Sequence, residues 1–246
     1  MKMSLEILLA IAAIALGGIL KGATGAGAPI VAVPILAMLY DVPMAVTVFV
    51  VPNLLSNVWQ GWHYRAHRLP WRFAWVFAGG GAAGSVVGTW MLARLPSPAL
   101  LLLTAAAVFI YIAFRLMRPG WRLGYGLAQK LALPVGAVAG VLQGAAGVSA
   151  PISLTFLNAM KLDRAAFIAT VSLFFAGMSC VQIPMLAGYG FLTPLRLVYG
   201  FGALAVIMAF MPLGAALARR VSRQAFDRLI LCLLALVAIR LAWSAL

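Results

Sequence analysis

Acidic residues are nearly missing from this chain, with 4 Asp and Glu against 18 Lys and Arg in 246 residues. Charged residues make up only 9% of the sequence, 65% is hydrophobic, and the mean hydropathy is +1.08. No soluble core of this size absorbs so much apolar surface, so the composition excludes a soluble globular domain and indicates a polytopic membrane protein. The shortage of acids leaves no paired intramembrane carboxylates for acid–base catalysis. Only two cysteines occur, Cys180 and Cys232, both inside apolar runs. They have neither the setting of a structural disulfide nor the spacing of a metal site. The two histidines, His63 and His67, stand four apart without an evident third ligand, among Trp62, Tyr64 and Arg65. That neighbourhood reads as an interfacial belt and not as a metal centre. No Gly-Lys-Ser/Thr nucleotide loop is present, so an ATP-driven pump is not encoded here. Ser–His and Cys–His pairs are not evident either. No catalytic residue, metal or cofactor is assigned, and the chain is not read as an enzyme.

What the sequence does have is a repeat. Gly18-Ile19-Leu20-Lys21-Gly22-Ala23-Thr24-Gly25-Ala26-Gly27-Ala28-Pro29-Ile30 returns 122 positions later as Gly140-Val141-Leu142-Gln143-Gly144-Ala145-Ala146-Gly147-Val148-Ser149-Ala150-Pro151-Ile152. In each copy an apolar run is interrupted by small residues and one long polar side chain, then resumes after a proline. Such a break is costly in lipid, because loosened amides and carbonyls need partners, and it is tolerated where the chain lines a cavity. The two stretches therefore read as the floor and ceiling of one binding site. The N-terminus (Lys2, then an apolar run to Leu20) imitates a signal peptide. Cleavage there would remove the first copy of the repeat, so the segment is expected to belong to the mature protein.

Apolar runs fall at about 5–20, 29–40, 44–62, 72–93, 98–116, 131–142, 150–160, 165–187, 195–218 and 225–243. Six of them reach the roughly 20 residues that cross a bilayer. The pairs 5–20/29–40 and 131–142/150–160 are too short singly and too long joined, so they read as broken or re-entrant hairpins. The net charge of +14 would suggest nucleic acid in a soluble domain. Here it lies in short gaps between apolar runs, as in cytoplasmic loops, and no nucleic-acid partner is expected. Arg65, Arg68 and Arg72 mark one gap; Arg115, Arg118, Arg122 and Lys130 a second; Arg219, Arg220, Arg223 and Arg228 a third. All three fall on the cytoplasmic side only if 131–160 enters and leaves on one face. The expected fold is an all-α integral membrane protein of two inverted repeats, each a broken hairpin plus three transmembrane helices, eight hydrophobic segments in all. Repeat 1 covers about 5–116, a cytoplasmic linker 117–130 and repeat 2 131–243, forming a single domain over 1–246.

Lys21 sits in an apolar segment just before a break, where an ionisable side chain is by default functional. Half-helices are expected to start near Gly27 or Ala28 and near Ser149 or Ala150, each aiming a positive dipole end at its break. Two such ends and one lysine describe an anion site. The alternative is that Lys21 snorkels to the interface or packs the turn. Asn53, Ser56, Asn57 and Gln60 share one helix face, and Gln182 recurs 122 positions after Gln60. These amides donate to oxyanions without trapping them, or else glue helices together, the role that Ser172 and Ser179 suit better. The candidate substrate-binding set is Lys21, Thr24, Gly25, Gly27, Ala28, Asn53, Asn57, Gln60, Gln143, Gly147, Ser149, Ala150 and Gln182. Gly79, Gly80, Gly81, Gly84 and Gly88 crowd one span as close-packing positions. Asp41 and Asp163, also 122 apart, suit the capping of the spans that follow them.

The motifs Gly22-Ala23-Thr24-Gly25-Ala26-Gly27-Ala28-Pro29 and Gly144-Ala145-Ala146-Gly147-Val148-Ser149-Ala150-Pro151, in two equivalent halves, resemble the sulfite exporter TauE/SafE family over essentially the whole length. The chain departs in carrying Ala or Ser where relatives often have Gly. The resemblance implies a bacterial inner-membrane transporter for sulfur oxyanions or organosulfonates. The expected function is a secondary transporter or facilitator exporting a small anion such as sulfite or sulfoacetate. A negative cytoplasm drives a monovalent anion outward by about 2.3 kcal/mol per 100 mV. Glu6, Asp41, Asp163 and Asp227 lie near segment ends, so no proton-relay acid is expected at midplane. Proton-coupled import by the same fold and a non-transporting scaffold remain the alternatives. The lipid bilayer and a small anion are the expected partners, and a homo-oligomer is compatible with this class.

Overall fold

A computed structural model describes residues 2–117, 120–218 and 223–244, with side chains omitted for 2–4, 115 and 223–230. Of the basic residues that orient the topology, Arg118, Arg219 and Arg220 lie outside the described residues, as do the side chains of Arg115, Arg223 and Arg228. So does the side chain of Asp227.

The described residues form helices and no strand. The order is α1 (Lys2–Thr24), α2 (Ala28–Leu39), α3 (Val42–His63), a 3-10 turn at Arg65–His67, α4 (Trp71–Arg94), α5 (Ser97–Met117), α6 (Tyr125–Ala146), α7 (Ala150–Ala159), α8 (Arg164–Gly188), α9 (Pro194–Leu217) and α10 (Arg223–Ser244). Local chemistry sets many of the starts. Asp41 accepts the Met44 amide at 2.6 Å, and Asp163 accepts the Ala166 amide at 2.9 Å, each capping the helix that follows. Pro29 and Pro151 occupy the first turns of α2 and α7, where the missing N–H costs nothing.

Seven of these helices are long and apolar enough to cross a membrane, and Ala28–Leu39 and Leu231–Ser244 are shorter apolar helices. Two boundaries differ from the sequence expectation. α1 has 23 residues and α6 has 22, so the first member of each broken pair has the length of a full span. The helices run on because their glycines face neighbouring backbones instead of breaking the chain. α6 also begins at Tyr125, inside the expected linker. The fold-back expected at each break is present in the first copy, where Gly17 of α1 lies against Ala28 and Ala32 of α2.

The two halves pack in equivalent ways. α1 lies on α9 and α6 on α4; α4 lies on α8 and α9 on α3; α2 lies on α10 and α7 on α5. α3 meets α8 and α5 meets α10. Exchanging the halves swaps the first six pairs in twos and returns α3–α8 and α5–α10 to themselves. Small residues make the closest seams. A β-carbon at Gly84 would collide with the Ala137 carbonyl and one at Gly88 with the Val141 carbonyl, both on α6. Gly22 and Gly214 stand in the same relation across the α1–α9 seam, against Met211 and Ile19. With lipid as apolar as the side chains, such close approach supplies the packing energy that water would supply elsewhere. Gly81 leaves room for Phe174, whose ring stacks on Phe77 with centroids 4.1 Å apart. Only Gly79 of the α4 cluster faces open space.

Indoles cluster around the end of α3 and the start of α4. Trp59, Trp62, Trp71 and Trp75 are exposed, with Arg65 over the Trp62 ring at 4.4 Å and Arg68 over Trp71 at 5.0 Å. His63 stacks on Trp59. An aromatic and basic belt of this kind suits a membrane–water interface.

Replacing Gly84 with Leu is expected to lower stability by about 3 kcal/mol or more, since the collision is with backbone. Gly79→Ala is expected to stay within about 0.5 kcal/mol of the parent. Thermal unfolding in one detergent checks both.

Candidate functional site

Each break is built from the same backbone parts. At the first, Gly25 (φ 83°) and Gly27 (φ 102°) take the left-handed conformation between α1 and α2. There a side chain with a β-carbon would be strained. At the second, Gly147 does so between α6 and α7, with φ 68°. The Gly25 and Gly147 amides donate to the carbonyls four residues back, at 2.7 and 2.8 Å, ending α1 and α6 alike. The breaks lie close in space. Gly147 packs against Val33 of α2 and Val46 of α3, and the rise from Ala28 to Val33 is about 8 Å.

A buried polar seam joins them through α3 and α8. Lys21 is 3% exposed, and its Nζ donates to Asn57 Oδ1 at 2.9 Å. No acid pairs with it among the described residues. Asn57 Nδ2 donates to the Asn53 backbone carbonyl at 2.6 Å and to Asn53 Oδ1 at 3.0 Å. Asn53 Nδ2 in turn donates to Ser179 Oγ on α8 at 3.1 Å. One turn further along α8, Gln182 Nε2 donates to the Gln143 and Gly144 carbonyls, each at 3.4 Å. Gln143 Oε1 accepts the Ser149 amide at 3.3 Å. Polar side chains buried this deeply are ordinarily paired. Among the described residues four buried atoms are not: Gln60 Oε1, Ser85 Oγ, Thr170 Oγ1 and Ser172 Oγ lack hydrogen-bond partners. Gly61, next to Gln60 on α3, faces Ser172 of α8.

Of the residues singled out from sequence, Lys21, Asn53 and Asn57 come together at the first break. Gln143, Ser149 and Gln182 come together at the second, with Gly147 and Ala150 buried around them. Gly25, Gly27 and Ala28 are buried at the first turn-over, and no side chain caps the start of α2. Gln60 faces inward one turn from Asn57. Thr24 stands apart: it is exposed, and its hydroxyl donates to the Leu20 carbonyl at 2.8 Å and accepts the Ala26 amide at 3.3 Å. Two contributors were not assigned beforehand. Ser179, expected to pack, bonds within the seam; its place 122 positions after Asn57 was the available signal. Arg164 donates to the Gly22 carbonyl at 3.1 Å, tying α8 to the end of α1. Its equivalent in the first half is Val42, so the repeat carried no hint of it.

The arrangement offers one buried amine, several neutral amides and hydroxyls, and a helix start free of side-chain caps. Donors outnumber anionic acceptors, which is the electrostatics of a site for a small anion. Removing the Asn57 amide strips Lys21 of its partner, so Asn57→Ala is expected to cost about 1.5–3 kcal/mol. The double variant Lys21→Ala/Asn57→Ala is expected to lose less than the sum of the two single changes. A double-mutant cycle by thermal unfolding measures this.

Searches of curated proteins and of solved structures returned no match. A family model described as sulfite exporter TauE/SafE matches residues 9–241, nearly the whole chain and both breaks. With seven helices among the described residues long and apolar enough to cross a bilayer, and with that match over residues 9–241, the chain is a multi-pass membrane protein of the TauE/SafE sulfite exporter family.

Proposed function

We propose that this chain is a secondary transporter or facilitator that carries a sulfur oxyanion or organosulfonate, such as sulfite or sulfoacetate, out across the bacterial inner membrane. The carrying observation is Lys21, buried to 3% exposure and, among the described residues, bonded to a neutral amide and to no acid. An ammonium has three donors, so two remain for a ligand. Around it Asn53, Asn57 and Gln60 can exchange hydrogen bonds with oxyanion oxygens without adding charge, which favours release as well as capture. The two halves are read as inverted in the membrane, supported by their equivalent packing and by the placement of basic loops. Inversion lets the breaks face opposite sides in turn, as alternating access requires.

Export follows from charge. A cytoplasm at negative potential favours outward movement of a monovalent anion by about 2.3 kcal/mol per 100 mV. No acid joins the seam among the described residues, so the reading assigns no proton relay.

The test is efflux from proteoliposomes, inside negative, loaded with sulfite, sulfoacetate or chloride, for the parent and for Lys21→Ala. Saturable efflux of a sulfur anion is expected, lowered at least about tenfold in Lys21→Ala, as for loss of one charged hydrogen bond. Efflux unchanged in Lys21→Ala would move the site to the Asn53/Asn57 face. No flux of any of the three anions would overturn the transport reading. Flux accelerated by a proton gradient at fixed voltage would establish proton coupling instead.

A further inference from the structure

The two breaks share part of their backbone hydrogen bonding, and the long polar side chain beside each goes a different way. The matching bonds extend past the left-handed glycines, since the Ile30 amide donates to the Gly27 carbonyl at 3.0 Å and the Ile152 amide to the Ser149 carbonyl at 3.1 Å. Residues 21 and 143 each stand six positions before the N-cap residue of the following half-helix. Gln143 uses that place to close its own break. Its Oε1 accepts the Ser149 amide, and only the oxygen end of an amide side chain can face an N–H. Gln143 is 5% exposed and Ser149 1%, so this contact is sealed from solvent. Lys21 has no acceptor to offer. Its Nζ turns to Asn57, and at this break it is Thr24 Oγ1 that accepts an amide, that of Ala26, at 3.3 Å.

We propose that Gln143 is a built-in ligand, its amide oxygen standing at the second break where an oxyanion oxygen stands at the first. The chain then holds one anion, at the first break, and the side chain at this repeat position selects which break accepts it. This rests on the anion-transport reading and narrows it: the second break is a closed structural turn, and the seam leads to it without a second site. The backbone carries a matching difference. Gly27 stands at φ 102° and ψ 2°, whereas Ser149 stands at φ −93° and ψ −11°. Ser149 stands in the ordinary helical region, its amide in contact with Gln143. Glycine at position 27 is free to adopt either conformation, so the first break can present its amide when a ligand arrives and withdraw it afterwards.

The experiment compares the full-length parent with Lys21→Gln, Lys21→Ala and Gln143→Lys in lipid nanodiscs. Sulfite is the probe for calorimetric stoichiometry, and thermal unfolding is measured without ligand. The parent is expected to bind one sulfite per chain. Lys21→Gln copies the second break onto the first, so it is expected to bind at least about tenfold more weakly. It is also expected to melt about 2 °C or more above Lys21→Ala, because the new amide caps α2. Gln143→Lys is expected to melt below the parent and to bind a second sulfite. Two sulfites per parent chain would overturn the proposal. So would a Lys21→Gln variant that melts no higher than Lys21→Ala, or a folded Gln143→Lys variant that still binds one. If the parent binds no sulfite, sulfite fails as the transported anion, and the ligand-free melting order alone decides the role of Gln143.

Discussion

A helix that stops inside an apolar bundle exposes amides and carbonyls that neither water nor lipid can satisfy. This chain stops two helices in that way, and much of its architecture answers the cost. The α1 and α6 ends are closed by left-handed glycines whose amides return to the carbonyls of Lys21 and Gln143. A carbonyl left at the end of α1, that of Gly22, is taken by Arg164 from the other half. At the second break Gln143 and Gln182 bring further donors and acceptors within reach. At the first break the same position holds Lys21, which donates across the bundle to Asn57 instead.

The breaks are held in register by backbone packing more than by polar contacts. α1 lies on α9 and α6 on α4 through glycines that leave no room for a β-carbon. These seams explain why α1 and α6 extend as full-length helices up to the breaks instead of ending at their first glycines. In lipid, where apolar burial offers little between helices, close approach of backbones and interhelical hydrogen bonds do most of the work of association. The crossing of α3 and α8 then brings Asn53 and Ser179 to hydrogen-bonding distance, joining the two halves at the seam.

Much of this was legible in the residues. The 122-residue repeat located both breaks, and Pro29 and Pro151 marked the half-helix starts. Asp41 and Asp163 announced the caps of α3 and α8. The i, i+3, i+4, i+7 spacing of Asn53, Ser56, Asn57 and Gln60 predicted a buried polar face on α3. Less legible were the lengths of α1 and α6, because a glycine that breaks a helix and one that packs it look the same in a string of letters. Thr24 lies within the motif, yet its hydroxyl turns back to its own backbone, a choice made by local geometry.

By itself the sequence determined the class, the two-fold internal repeat, the breaks and the lone lysine beside one of them, because hydrophobic run length, proline, glycine and charge act locally. Only the tertiary structure decided which polar groups meet. The Lys21–Asn57 bond spans 36 residues, the Asn53–Ser179 bond 126 and the Arg164–Gly22 bond 142. Pairings across such separations depend on how whole helices cross, and helix crossing is set by the summed shape of many side chains. The same holds for the contrast between Lys21 and Gln143. Their letters differ in the sequence, but only the folded turns place one against its own helix start and the other across the bundle.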